Sequence, residues 1–280
     1  MKSNKMVLLV IGIILTLSVG FAGGYFAAEQ GAKPEVFIAS SFAATPLVFS
    51  SETVVPTQTR AAQPTPTSEY LAQPVSAEEM FSEFICPCCG RLIGDCTCGM
   101  ASERRGFVTG LVAARQNKLE VYLAYADQYG LDTFASDEVR KEIRERKLAS
   151  APEERPQIVL EPQNVDLGDV SPRDGKVETS ITIKNTGQKD LIVESLSTSC
   201  GCTTVSVVNN GQEGPIFGTG TPPKDWSTTI RPGKTAELRI YYDPNVHQNA
   251  RGPMMREVYV SSNDPVDPVV KASIQLNQVD

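Results

Sequence analysis

Five of the seven cysteines of this 280-residue chain, Cys86, Cys88, Cys89, Cys96 and Cys98, crowd into one short stretch. They form two tight halves, Cys-Pro-Cys-Cys-Gly over 86–90 and Cys-Thr-Cys-Gly over 96–99. Cys86 and Cys89 make a C-x-x-C in which Pro87 fixes one backbone dihedral and Gly90 frees the next turn. Such a knuckle aims two thiolates at one point, which suits a tetrahedral ion. Cys96 and Cys98 could supply the other two ligands, with Gly94 easing closure of the loop between the halves. Cys88 is then the spare thiol or alternates with Cys89, and Asp95 is a candidate oxygen substitute. Four thiolates leave no position for water, so a zinc held this way is structural; Cu(I) is the other ion that soft thiolates accept. Two further chemistries stay open. One is thiol–disulfide exchange through Cys86/Cys89; the other is a set of plain disulfides in an oxidising compartment. Against the latter stand the odd count and the strain of a bond between the neighbours Cys88 and Cys89.

The remaining pair, Cys200 and Cys202, brackets a glycine. On a strand, residues two apart face the same side, so both thiols could meet one soft ion or a partner's thiol; a small buried pair or a disulfide is the alternative. The single histidine, His247, reads as an exposed loop residue. One histidine excludes every site built on paired histidines, and no C-x-x-C-H exists for covalent haem attachment. No Ser/His/Asp set, motif of paired carboxylates or phosphate-binding glycine loop is evident. A net charge of −7 with no Lys/Arg run beyond two residues argues against nucleic acid as a partner.

The segments that must carry these cysteines read in order. Met6–Ala28 is uncharged and long enough, at about 1.5 Å per residue, to cross a hydrocarbon core of roughly 30 Å. Lys2 and Lys5 before it orient the rest of the chain outside the cytoplasm. Residues 1–28 are therefore expected to be a transmembrane anchor, a signal peptide cleaved near Ala22–Gly24 being the alternative that yields a secreted product. Residues 29–75, rich in Ala, Ser, Thr and Pro, read as a flexible linker. Residues 76–147 read as a cysteine-rich helical module. A Ser76/Glu79 capping box opens its first helix, a second runs over about 102–116, and a third is capped by Asn117 and Glu120 and closed at Gly130. A charged helix from Ser136 to about Lys147 is expected to project as a connector. After a 148–156 linker, residues 157–280 switch to alternating runs between turn residues, about seven strands of an antiparallel sandwich. Within them, about 209–227 is expected to be a long surface loop.

Two resemblances sharpen this. The cysteine motif, Arg104/Arg105 and Tyr129-Gly130 resemble, over roughly Phe84 to Phe134, the periplasmic thiol-reductase subunit of cytochrome c maturation. That resemblance implies Cys86 and Cys89 as a redox pair, while Cys88, Cys96 and Cys98 depart from that family's motif and look like a zinc-knuckle pattern. V-D-L-G-D-V at 165–170, I-K-N-T-G at 183–187, S-C-G-C-T at 199–203, R-P-G at 231–233 and S-N-D-P at 262–265 closely resemble a bacterial family of exported immunoglobulin-like domains of unknown function. That second resemblance implies a fold and no enzymatic activity. The expectation is a multidomain protein: a transmembrane helix, a small all-α module and an all-β immunoglobulin-like sandwich. It would be anchored in the cell membrane with its bulk extracytoplasmic. It would bind a metal, zinc first, through Cys86, Cys89, Cys96 and Cys98, and engage other envelope proteins through the β domain. The alternatives are a thiol–disulfide oxidoreductase or metallochaperone-like factor in cytochrome c or copper-site assembly, and a purely structural envelope protein.

Overall fold

The computed structural model describes residues 68–218 and 223–280. The expected anchor and most of the linker lie outside these residues. Among the described residues no helix is long and apolar enough to cross a membrane.

Among the described residues five α-helices precede the sheets: α1 (Ser68–Leu71), α2 (Ala77–Phe81), α3 (Gly99–Ala113), α4 (Lys118–Tyr129) and α5 (Asp137–Ser150). Their starts follow from local chemistry. The Ser76 hydroxyl accepts from the Glu79 N–H, Asn117 and Glu120 complete a reciprocal capping box, and Ser136 caps α5. The helix anticipated from Ser102 begins three residues earlier, because the Cys98 sulfur itself accepts from the Ala101 N–H and serves as the cap. Nor does the linker run to residue 75. Leu71 is fully buried in the helical core, and Lys118, also buried, joins the Tyr70 hydroxyl, Glu79 at 2.9 Å and Glu83 at 3.7 Å. A buried ammonium is tolerable only with such partners. The charged α5 does not project: Val139 and Ile143 are buried and Lys147 pairs with Asp127.

The described residues of the C-terminal part are all β, ten strands in two five-stranded sheets that close over one core. The strands are β1 (Ile158–Glu161), β2 (Asn164–Val170), β3 (Val177–Asn185), β4 (Leu191–Thr198), β5 (Thr203–Asn209), β6 (Gln212–Glu213), β7 (Thr228–Ile230), β8 (Thr235–Tyr242), β9 (Gly252–Ser262) and β10 (Val269–Gln278). One sheet has the order β1-β3-β8-β5-β6, the other β2-β10-β9-β4-β7. In β8 the period of two is plain, Ala236, Leu238, Ile240 and Tyr242 all facing inward. Contrary to an all-antiparallel expectation, β2 pairs with β10 in parallel. Nor is 209–227 simply a surface loop. Phe217 bridges to Val205, is buried, and meets the Trp226 ring at 5.1 Å. The signal there was the aromatic pair in a Gly/Pro-rich run, whose fold-back no periodicity announces.

Two turns are explained by single buried side chains. Asn185 donates to the carbonyls of Lys189 and Ile230, both at 2.8 Å, and accepts from the Gly187 and Gln157 N–H groups. Asp264 accepts from the Ile158 and Val266 N–H groups and from Arg155, fixing the start of β1 to the β9–β10 turn. The helices and sheets meet at Gly130. Its φ is +83° with extended ψ, and a Cβ there would collide with the Val269 carbonyl oxygen. Arg144 pairs with Asp267 across the same seam.

Two outcomes are expected. Asn185→Ala strands several backbone groups in the core and should lower unfolding free energy by about 2–3 kcal/mol, read by urea denaturation. Gly130→Ala should loosen the helices from β10, read as faster amide exchange along Val269–Ser273 while the rest of the sandwich stays protected.

Candidate metal centre

The first knuckle is a backbone structure before it is a sulfur site. The Cys86 N–H donates to the Arg91 carbonyl at 2.7 Å and the Gly90 N–H to the Cys86 carbonyl at 2.9 Å. Gly90 takes a φ of +68° to close that turn, a conformation a side chain resists. Ile85 then bridges to Leu92 and Phe84 to Phe134, tying both arms of the knuckle to the helical core. The second half is set by α3. Cys98 stands at its N-terminus, and Arg105, two turns on, reaches back to donate to the carbonyls of Ile93 and of Cys96, the latter at 2.5 Å. The sequence marked Arg105 only as a family signpost; nothing in its spacing shows that it clamps the cysteine loop.

These supports bring the sulfurs together. The Sγ atoms of Cys86, Cys96 and Cys98 lie within 4.8 Å of one another. Cys86 and Cys98 are 3.4 Å apart and Cys89 and Cys96 3.2 Å. A tetrahedral zinc with bonds near 2.3 Å would set its sulfurs about 3.8 Å apart, so a relaxation of some tenths of an ångström would admit the ion. Cys86 and Cys96 are buried, Cys98 half-buried, Cys88 and Cys89 exposed. Cys89 stands outside that three-sulfur group and meets it through Cys96 alone, while the Cys88 thiol also reaches Cys98. Asp95 donates its N–H to the Leu92 carbonyl, and its carboxylate is not among the grouped ligand atoms.

The thiols differ in character. Burial pushes Cys86 far above the ordinary thiol range, the more so with Cys98 and Cys96 alongside, although a backbone hydrogen bond at Cys88 opposes it. At Cys98, burial again pushes upward, but the Ala101 N–H and the hydrogen bonds from neighbouring thiols outweigh it and bring the group down to about 7. A thiolate at a helix N-terminus also faces the positive end of the dipole. The exposed Arg91 guanidinium faces Cys89 and Cys96. This is one soft pocket of thiols with cations at its rim.

A second sulfur group lies in the sandwich. Cys200 and Cys202 are joined as a disulfide with Cα atoms 5.2 Å apart. The register of β5 on β8 sets Thr203 opposite Tyr242, and the Asp243 N–H donates to the Cys202 carbonyl at 2.8 Å. The following 3-10 turn, Pro244–His247, folds back so that His247 Nε2 lies 3.3 Å from Cys200 Sγ. His247 is exposed, as its loop position suggested, but it is not idle. Arg256, on β9, donates through Nε to Cys202 Sγ at 3.1 Å. Neither contact is legible in a sequence where the partners stand 47 and 54 residues apart.

Residues 158–217 match the model of a protein family of unknown function (DUF1573). No curated protein matches the chain. Among solved structures, a Porphyromonas gingivalis protein of unknown function is 22% identical over 46% of this chain and 50% of its own, with a TM-score of 0.35. This chain therefore spans about half the length of that protein. PapD-like domain 7 of human CEP192 is 12% identical over 46% of this chain and 90% of its own, TM-score 0.31. The Vibrio cholerae VesB protease is 15% identical over 52% of this chain and 36% of its own, TM-score 0.34.

Serine substitutions should rank the ligands. Cys86→Ser and Cys96→Ser should lose bound metal entirely, and Cys89→Ser should weaken it by about 10- to 100-fold. Cys88→Ser should leave one ion per chain, all read by metal analysis after dialysis against a chelator.

Proposed function

We propose that this chain is a membrane-anchored extracytoplasmic protein whose Cys86, Cys89, Cys96 and Cys98 hold one structural metal ion, zinc first. Its immunoglobulin-like domain would then dock other envelope proteins. The observation that carries the metal reading is the crossing of the two knuckles, Cys86 against Cys98 and Cys89 against Cys96. A redox C-x-x-C needs its own two sulfurs paired and one of them open to a substrate. Here Cys89 is exposed, but its sulfur faces Cys96 while the buried Cys86 faces Cys98, so the C-x-x-C sulfurs are each turned to the other knuckle. A closed thiolate site needs the opposite arrangement, sulfurs drawn from both halves with most of them out of water. Binding would expel the proton that burial holds on Cys86 and would lock α3 to the knuckle, so metal and fold are coupled. The anchor rests on the uncharged run Met6–Ala28, and the docking role on the two-sheet domain that follows the helices.

The full chain, purified without oxygen, should carry one zinc per molecule. Four thiols in 86–98 should become alkylatable only after chelation, and thermal stability should fall in step. Metal-free protein with one readily reduced Cys86–Cys89 bridge would overturn the metal reading in favour of the reductase.

A further inference from the structure

We propose that the Cys200–Cys202 bridge is a redox-active centre of the β domain, accepting two electrons from the dithiol of an exported partner protein. Its placement argues against a structural staple. The bonded residues are two apart in sequence, and the stabilisation a cross-link gives by restricting the unfolded chain grows with the loop it closes. This one closes almost none. Burial is asymmetric as well: Cys202 sits in the sandwich core while Cys200 is half-exposed. Each sulfur has its own polar neighbour, the imidazole of His247 at the accessible Cys200 and the guanidinium of Arg256 at the enclosed Cys202. The two sulfurs and His247 could be taken for a soft-metal site. A guanidinium donating straight to one of the sulfurs is a poor companion for a cation, however, and a good one for a thiolate.

Those neighbours match the steps of exchange. The first partner thiol gives its proton to His247 Nε2 as its sulfur attacks Cys200 Sγ. The Cys200–Cys202 bond breaks, and its electron pair leaves on Cys202 as a thiolate held by Arg256. The second partner thiol passes its proton to Cys202 and attacks the partner's sulfur in the mixed disulfide. The electron pair returns to Cys200, which takes the proton from His247. The partner leaves as a disulfide and the domain as a dithiol, with two electrons and two protons transferred. Because the attacking thiolate and the leaving sulfur set such rates, Cys200 is the catalytic residue and Arg256 a positioning residue. This centre is independent of whether residues 86–98 hold a metal.

The test uses the folded full chain in glutathione redox buffers, with the peptide spanning Cys200 and Cys202 alkylated and weighed. The bridge should equilibrate with glutathione without denaturant, and Cys202→Ser should trap one glutathione on Cys200. His247→Gln should slow trapping by about tenfold or more and flatten its pH dependence. Arg256→Gln should move the native chain's equilibrium about threefold or more towards the disulfide, by removing the cation that favours the thiolate. Three outcomes would overturn the proposal. One is a native bridge that survives excess dithiothreitol in the folded chain. Another is trapping on Cys200 no faster than on a cysteine of the urea-unfolded chain. The third is exchange indifferent to both His247→Gln and Arg256→Gln.

Discussion

Phe84 and Tyr125 lie face to face, their ring centroids 3.5 Å apart and their planes within 11°. The position of the cysteine loop depends on that contact. Phe84 is two residues before Cys86, and Phe134 meets it edge-on at 5.2 Å. The ring that begins the knuckle is thus held in an aromatic pocket built by α4 and the segment after it. Tyr125 in turn receives Arg104 from α3, whose guanidinium also covers the Tyr129 ring at 4.4 Å. The helix that presents Cys98 and the strand-like arm that presents Cys86 therefore converge on the same rings. Aromatic contacts bury large apolar areas and prefer a few geometries, so they can hold four sulfurs near one another even though like-charged thiolates repel.

Much of this was legible in the chain, and what was not has a physical reason. Capping boxes and alternation are local, so Asn117 with Glu120 and the inward residues of β8 announced themselves. The cysteine spacing named Cys86, Cys96 and Cys98, whose sulfurs lie together, and also Cys89, which reaches them only through Cys96. What spacing could not give was the pairing across the knuckles, which depends on α3 starting at Gly99, capped by Cys98, rather than at Ser102. The cap there is a sulfur, which propensity rules do not count. Contacts made by strand register were out of reach for the same kind of reason. His247 meets Cys200 only because β5 and β8 align Thr203 with Tyr242 and a short turn folds back. The parallel pairing of β2 with β10 and the inward fold of Phe217 are likewise tertiary outcomes that override local pattern.

The two sulfur groups of this chain stand in contrasting surroundings. In the first, the sulfurs are drawn from two backbone turns into a common pocket, with cations only at the rim. In the second, adjacent positions of one chain segment are bonded to each other, and a cation and an imidazole each attend one sulfur. Surroundings of the first kind favour holding an ion still, and those of the second favour moving electrons.

The order of the strands has a consequence for how such a domain could meet other proteins. Three of its four sheet edges are formed by strands of four residues or fewer, β1, β6 and β7. The fourth, β2, carries Asp166 and Asp169 and pairs with β10 in a broken register. Short, charged or irregular edges discourage an incoming strand from extending the sheet. The sandwich is thereby guarded against growing into fibres and against accepting a partner by strand addition. A partner of the kind proposed would then have to be met by its loops and the outward faces of its sheets.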